Sequence, residues 1–171
     1  MSSGIAAARL RAERKAWRKS HPAGFYARTT KNEDGSRNLF KWECGIPGTA
    51  GGLWEGGLYR IIIEFPEEYP QAPPKVKCDP RYPMLWHMNV WSNGQFCMNI
   101  INPNDGTWHG KWQPTVSIRE ILMAVQSLLD SPNPASPSVG HGQTVWKVWK
   151  SDRAEWERRT REEAKKHPLD P

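Results

Sequence analysis

Apolar residues recur with a helical period in four segments of this 171-residue chain. The clearest segment begins with Ser117 and Glu120, which match the two positions of a capping box ahead of one apolar face. The first segment has a weaker stripe of apolar residues at helical spacing, formed by Ile5, Ala8, Ala12 and Ala16. The predicted helices are 5–19, 117–130, 144–150 and 152–166.

Four shorter runs predict strands between the first two long helices. Within the second run, residues 39–44 alternate between two faces with a period of two, as in a strand. Short connections join the first three runs, which favours an antiparallel meander. The predicted strands are 25–30, 38–46, 58–65 and 75–78. An N-terminal helix, this sheet and the later helices together predict an α+β fold.

The segment 84–116 shows no sustained period, yet it contains Trp86, Trp91, Trp108 and Trp112. So many large aromatic side chains favour a buried, structured loop region rather than a linker. Loops of this kind often carry function. We expect residues 1–171 to form a single domain.

Positive charge is concentrated at the N-terminus. The chain has a net charge of +6, and its first 20 residues hold six basic residues and one acid. Such a patch favours an acidic partner surface, with nucleic acid or a merely solvated helix face as alternatives. No apolar run approaches the 20 residues of a membrane span, and no secretory signal is recognisable. We therefore expect a soluble, intracellular chain with reduced thiols.

Cys97 is the candidate for covalent chemistry. The chain has three cysteines and no C-x-x-C pair, which argues against a disulfide framework and a structural zinc site. Cys44 and Cys78 lie in predicted strands, where a free cysteine is usually a small buried hydrophobe. Cys97 instead follows a turn in irregular chain. Because thiols form acyl thioesters readily, Cys97 suits acyl transfer, an inert cysteine being the alternative.

Two polar residues lie shortly before Cys97. The Asn89 amide can donate to an oxyanion, although an isolated asparagine more often bonds local backbone in a turn. His87 could serve Cys97 as a base in a thiol hydrolase, but its aromatic surroundings favour a structural histidine bonded to backbone. His109 and His141 lack other ligands at metal spacing, and no phosphate-binding loop is found. Neither a metal nor an ATP site is predicted.

Five motifs occur in this order between residues 69 and 134: Tyr69-Pro70-Gln71-Ala72-Pro73-Pro74-Lys75-Val76-Lys77, His87-Met88-Asn89, Gly94-Gln95-Phe96-Cys97, Trp112-Gln113-Pro114 and Ser131-Pro132-Asn133-Pro134. They resemble the landmarks of the ubiquitin-conjugating enzymes. The N-terminal sequences Ser3-Gly4-Ile5 and Glu13-Arg14-Lys15-Ala16-Trp17-Arg18-Lys19 are similar to the SUMO-conjugating branch of that family. The resemblance implies the ubiquitin-conjugating enzyme fold, with an irregular active-site segment between the sheet and the long helix.

The resemblance also implies a transferase with a cysteine thioester intermediate. Cys97 would accept the C-terminal glycine of SUMO and pass it to a substrate lysine as an isopeptide bond. Asn89 would stabilise the oxyanion of that attack, or order the loop that does. Trp91 would line the path of the lysine, whose desolvated amine is neutral more readily. Ser136 occupies the position where this branch usually has an aspartate that orients the lysine.

Two binding surfaces follow from the same resemblance. Lys75 and Lys77 would recognise an acidic residue after the acceptor lysine, although lysines also keep an exposed strand edge soluble. Asn93 and Gln95 stand beside them in place of small hydroxyl residues. The basic helix would bind the activating enzyme and a second, noncovalent SUMO through Arg14, Lys15, Arg18, Lys19 and His21.

The expected partners are SUMO, its activating enzyme, SUMO ligases and lysine-containing substrates. We expect a monomer with no cofactor, nucleic acid or membrane partner, because ATP is used by the activating enzyme, and we expect it in the nucleus and cytoplasm. The alternatives are a ubiquitin-conjugating enzyme, a non-catalytic modifier-binding scaffold and a nucleic-acid-binding module. Three departures from the family stand out. Met88 replaces a proline, so the turn ahead of Asn89 loses a fixed φ. The segments 81–86 and 102–111 are lengthened on either side of the expected groove, which bears on substrate or partner choice.

Overall fold

The computed structural model describes residues 2–106 and 110–169. Within them, a four-stranded antiparallel sheet has the order β1-β2-β3-β4, which confirms the predicted meander and the α+β class. The strands are β1 Tyr26–Lys31, β2 Arg37–Pro47, β3 Leu58–Glu64 and β4 Lys75–Cys78. The helices are α1 Ser2–Lys19, α2 Ile118–Asp130, α3 His141–Ser151 and α4 Arg153–Ala164. No helix in these ranges is long and apolar enough to cross a membrane.

The main core lies between the inner face of the sheet and α2. Trp42, Ile61 and Ile63 of the sheet are fully buried in one cluster with Ile121 and Val125 of α2. Full burial of one such aliphatic side chain stabilises the fold by about 1.5–3 kcal/mol. The sheet and α2 therefore form a rigid platform for the segments that connect them.

The start of α2 is fixed from two sides. The Glu120 N–H donates to Ser117 Oγ (3.1 Å) and the Ser117 N–H donates to Glu120 Oε2 (3.2 Å), so the predicted capping box is confirmed. From α1, Glu13 Oε2 accepts a hydrogen bond from the Ile118 N–H (3.2 Å). Arg9 holds the same carboxylate through an ion pair of 2.9 Å. These contacts attach α1 to the N-terminus of α2.

The predicted apolar stripe of α1 is wrong. Ile5 is 66% exposed, and the three alanines of that stripe are exposed as well. The buried face consists instead of Ala6, Leu10 and Trp17, which also have helical spacing. Leu10 and Trp17 present far more apolar area than alanine, so burial of this face is more favourable.

The described parts of the segment 84–116, residues 84–106 and 110–116, are structured, as its tryptophans indicate. Trp86 and Trp112 are buried, and the Trp112 Nε1–H donates to the Pro70 carbonyl (2.9 Å). Trp91 is half-buried, whereas Trp108 lies outside the described residues. A single 3₁₀ turn, Asn99–Ile101, follows Cys97 and was not predicted, because three residues are too few to show a period.

Candidate active site

A tight hairpin, 91–95, lies against the outer edge of β4. Gly94 sits at its turn with φ of +85°, a conformation that glycine adopts without steric cost. The Gly94 carbonyl accepts a hydrogen bond from the Cys78 N–H (2.8 Å), and the Phe96 N–H donates to the Val76 carbonyl (2.9 Å). The hairpin therefore covers the edge of β4 and brings the residues after the turn to a fixed position.

Cys97 follows the hairpin at the mouth of an open groove. Its N–H donates to the Asn89 carbonyl (2.8 Å), which sets the two residues side by side. The Cys97 side chain is half-buried and borders a cavity of about 380 Å³. The other walls come from the 3₁₀ turn, α2 and the loop after α2, including Asn99, Ser127, Leu128, Asn133 and Ser136. An extended chain can thus approach the sulfur along the groove.

The three thiols differ in burial and acidity. Burial raises the pKa of Cys78 to about 11 and raises that of the fully buried Cys44 still further. Burial also raises the pKa of Cys97, although its side chain reaches the groove. At neutral pH the Cys97 thiol is therefore protonated and must lose its proton when it attacks an acyl group.

The Asn89 side chain organises the loop that follows α2. Its Nδ2 donates to the carbonyls of Asn133 (3.0 Å) and Ser136 (3.1 Å), and its Oδ1 accepts from the Asn133 N–H (2.8 Å). Asn89 is 1% exposed, and both amide protons are engaged. An oxyanion could be stabilised directly only if one of these bonds opened. The geometry therefore favours the loop-ordering role over direct donation.

His87 does not contact Cys97 as a base. The Asn89 N–H donates to His87 Nδ1 (3.1 Å), so the proton of the neutral ring lies on Nε2, which donates to the Leu128 carbonyl (2.8 Å). The residue is 3% exposed, and burial lowers its pKa to about 4. A neutral ring with both nitrogens bonded is structural, so the thiol-hydrolase pairing is excluded.

The other two residues with implied catalytic roles are placed differently. Ser136 borders the groove together with Cys97, and its carbonyl is held by Asn89. Trp91 is half-buried on the hairpin and is not among the residues that line the groove. The structure therefore brings Ser136 and Cys97 to one cavity and leaves Trp91 at its side, on the hairpin that leads to Cys97.

The residues implied in acceptor recognition do come together. Lys77 pairs with Gln95 in an antiparallel bridge between β4 and the hairpin, and Asn93 Oδ1 accepts from the Gln95 N–H (3.0 Å). Lys75 is exposed two residues earlier on the same face of β4. Lys77 forms an ion pair with Glu64 of β3, so part of its charge is already compensated. Lys75 presents the freer positive charge.

The basic residues of α1 lie near the β1 edge of the sheet, opposite the β4 edge that holds Lys75 and Lys77. This helix packs against β2 and α2, and Arg14 and Arg18 border a cavity with β1. Because β1 and β4 are separated by three strand spacings, the two sites are roughly 14 Å or more apart. His21 lies just beyond the end of the helix, stacked on Trp17 with its Nδ1 3.0 Å from the Trp17 carbonyl. Lys15 and Lys19 are exposed.

Two further contacts hold the loop after α2, and sequence reasoning missed them. The Ser138 N–H donates to the Met88 carbonyl (2.9 Å), and Ser92 Oγ accepts from the His141 N–H (3.1 Å). The second contact caps α3, which therefore begins at residue 141 instead of the predicted 144. The only signal in the sequence was Gly140, which adopts a φ of +84° immediately before the helix.

Across residues 2–106 and 110–169, no cluster of three or more histidine, cysteine or acidic side chains is arranged to hold a metal ion. His141 instead faces the Leu85 carbonyl through Nε2 (2.9 Å). His109 lies outside these residues.

Comparison with known proteins places this geometry in context. The family model described as "Ubiquitin-conjugating enzyme" matches residues 9–164. SUMO-conjugating enzyme UBC9 of Caenorhabditis elegans is 44% identical over 165 residues, which cover 96% of this chain and 93% of that protein. Sumo-conjugating enzyme ubc9 of Dictyostelium discoideum is 41% identical over 167 residues, covering 97% and 98%. SUMO-conjugating enzyme SCE1 of Arabidopsis thaliana is 41% identical over 169 residues, covering 98% of both.

Proposed function

The chain belongs to the ubiquitin-conjugating enzyme family, and on this premise we propose that it is a SUMO-conjugating transferase. Cys97 attacks the activated carboxyl group of SUMO, held as a thioester on the activating enzyme. The thiol of the activating enzyme leaves, and a new thioester forms on Cys97. The amine of a substrate lysine then attacks that thioester, Cys97 leaves as a thiol, and an isopeptide bond remains.

The observation that carries this proposal is the position of the Cys97 sulfur. Of the three cysteines, Cys97 alone is not buried, and it borders a groove that is walled by the amide-rich loop that Asn89 holds. Relatives named for SUMO conjugation cover nearly the whole chain, which supports SUMO as the modifier. Together they support a thioester at this site over an inert cysteine or a non-catalytic scaffold.

The deciding experiment is formation of the thioester, here called charging. The protein is mixed with ATP, SUMO and the SUMO-activating enzyme, or with ubiquitin and its activating enzyme, and is analysed on non-reducing gels. We expect a thiol-sensitive adduct with SUMO that Cys97→Ala abolishes and Cys78→Ala retains. An adduct with ubiquitin alone would assign the chain to ubiquitin conjugation. The absence of any adduct with folded protein would leave only the modifier-binding role.

The basic face of α1 supports a docking role for the activating enzyme and for a noncovalent SUMO. Arg14 and Lys15 form no ion pair within the described residues, so their charge is available to an acidic partner. The double charge reversal R14E/K15E should weaken charging, and charging by the unmodified chain should fall as salt screens the interaction. Charging that is insensitive to both would remove α1 from the docking surface.

Lys75 and Lys77 support selection of an acceptor with an acidic residue beyond its lysine. Lys75→Ala should slow transfer to such a peptide more than Lys77→Ala does, because Lys77 already pairs with Glu64. A peptide with the acidic residue replaced by glutamine should lose this difference. Equal rates for both peptides in the unmodified enzyme would contradict acceptor recognition by this pair. The proposal also includes SUMO ligases as partners and a monomeric state for this chain.

A further inference from the structure

A strongly basic cleft separates α1 from the β1–β2 hairpin. Arg14 and Arg18 of α1 face Arg28, Lys31 and Arg37 of the hairpin across a cavity of about 490 Å³. A neighbouring cavity of about 430 Å³ is bordered by Arg11, Arg14, Arg37 and Leu39. We call the residues Arg11, Arg14, Arg18, Arg28, Lys31 and Arg37 the arginine cleft.

The positive charge of the arginine cleft is almost uncompensated. Neither cavity is lined by a carboxylate. Among the described residues, only Arg28 of this group forms an ion pair, at 3.6 Å from Glu43. Two acids occur in the nearby turn. Asp34 accepts hydrogen bonds from Ser36, and Glu33 borders a different cavity, which it shares with Lys31 and not with the arginines of the cleft.

The fold itself forces these charges together. Arg14 is a helix residue and Arg37 begins β2, so tertiary packing brings them to one cleft. Partial burial and then the charges of Arg37 and Arg18 lower the pKa of Arg14, which indicates repulsion inside the cleft. A merely solvated helix face would let long basic side chains spread apart. A concave site with unpaired guanidinium groups favours an anionic ligand instead.

We propose that the arginine cleft binds a small oligophosphate with three or more negative charges on adjacent phosphate groups. Guanidinium groups donate forked hydrogen bonds that match phosphate oxygens. The volume lies within the range of small-molecule sites. Carboxylates on one face of an extended peptide are about 6.6 Å apart, so they place charge less densely than adjoining phosphates do. The density of guanidinium groups here therefore favours an oligophosphate over an acidic peptide.

The proposal has a consequence for regulation, which rests on the proposed function. Arg14 and Arg18 also belong to the surface assigned to the activating enzyme and to noncovalent SUMO. A bound oligophosphate and these proteins would compete for the same guanidinium groups. Occupancy of the arginine cleft would then reduce charging without touching Cys97.

The test is calorimetric titration of the full chain with tripolyphosphate at constant ionic strength. We expect one saturable site, with weaker binding of orthophosphate. Arg37→Gln should reduce the affinity about tenfold or more, since a hydrogen bond to a charged group is worth about 1.5–3 kcal/mol. The matched control is Arg119→Gln, which removes the same charge from the exposed face of α2 and should change the affinity less than about twofold.

Three results would overturn the assignment. Equal losses in Arg37→Gln and Arg119→Gln would show diffuse attraction to a basic protein. No saturable binding of tripolyphosphate would remove the site. Tighter, length-dependent binding of a single-stranded oligonucleotide, lost in Arg37→Gln, would reassign the cleft to nucleic acid. With Mg²⁺ in excess, tripolyphosphate should also slow charging of the unmodified chain. It should slow charging of Arg37→Gln much less, because that variant binds tripolyphosphate weakly. Because calorimetry needs no activating enzyme, the binding result holds even if charging with SUMO fails.

Discussion

Replacement of Asn89 by alanine separates the two roles open to this residue. The substitution removes three hydrogen bonds that join the segment before Cys97 to the loop at Asn133 and Ser136. If Asn89 acts by ordering that loop, Asn89→Ala will loosen the loop and slow the reaction together. If the loop keeps its order without these bonds and the reaction still slows, Asn89 acts by donating to the oxyanion.

The magnitude follows from the bonds that are lost. Each is worth about 0.5–1.5 kcal/mol, and buried partners left without a bond add to the cost, so the free energy of unfolding should fall by about 2–5 kcal/mol. The Asn133 N–H loses its acceptor, and its hydrogen exchange should accelerate about 10–100-fold. Misplacement of the groove wall by about 1 Å is enough to slow transfer to lysine roughly 100-fold.

The assay measures three quantities on one variant: charging, single-turnover transfer from the preformed thioester to free lysine, and amide exchange. We expect charging to persist while transfer slows and exchange at Asn133 rises. Asn32→Ala, in the exposed β1–β2 turn, is the matched control and should change none of them. Slow transfer with wild-type exchange at Asn133 would refute the loop-ordering argument and assign Asn89 to the oxyanion.

Three further predictions concern the thiols, His87 and the cap of α3. Iodoacetamide should modify Cys97 before the two buried cysteines, and the pH midpoint of its reaction with Cys97 should lie above the usual thiol pKa. The measurement is peptide mass spectrometry on samples alkylated at several pH values. Modification of Cys78 first would contradict the prediction. Folding lowers the pKa of His87 to about 4, so the stability that its neutral ring contributes to the fold is fully present above about pH 6.5. This stability, about 3 kcal/mol, is lost as the pH falls from 6.5 toward 4. The free energy of unfolding of His87→Gln, measured with urea, should therefore depend less steeply on pH between 6.5 and 4. Ser92→Ala should destabilise the protein by about 0.5–2 kcal/mol, because the His141 N–H loses its acceptor; unchanged thermal unfolding would show that water replaces the cap.

The sequence predicts the regular elements well because their signals are local. The capping box at Ser117 and Glu120 and the alternation along β2 depend only on neighbouring residues, and both are confirmed. The start of α3 could not be predicted in the same way. Its first N–H is bonded by Ser92, 49 residues away, and no local pattern reports such a contact.

The chemistry of the candidate site was predictable from the sequence, but the hydrogen bonds that hold the site together were not. The position of Cys97 after a turn, outside any strand, indicated an accessible thiol, and the groove agrees with that expectation. The bonds of Asn89 to Asn133 and Ser136 span more than 40 residues. Only a fold can bring those partners together, so the family resemblance left both oxyanion donation and loop ordering open for Asn89.

The same structural logic predicts that docking and chemistry are independent. Glu13 of α1 bonds to the N-terminus of α2, and Leu128 near its C-terminus borders the groove, so α2 connects the two sites. This helix has 13 residues, about 20 Å, and its inner face is buried throughout the core. Coupling between two sites needs an element with two discrete arrangements, and close packing of α2 in the core disfavours a second one. We therefore expect R14E/K15E to weaken charging by raising the concentration of activating enzyme required, and to leave transfer from a preformed Cys97 thioester to free lysine unchanged. Slower transfer in that variant would show that α2 relays the state of α1 to the groove.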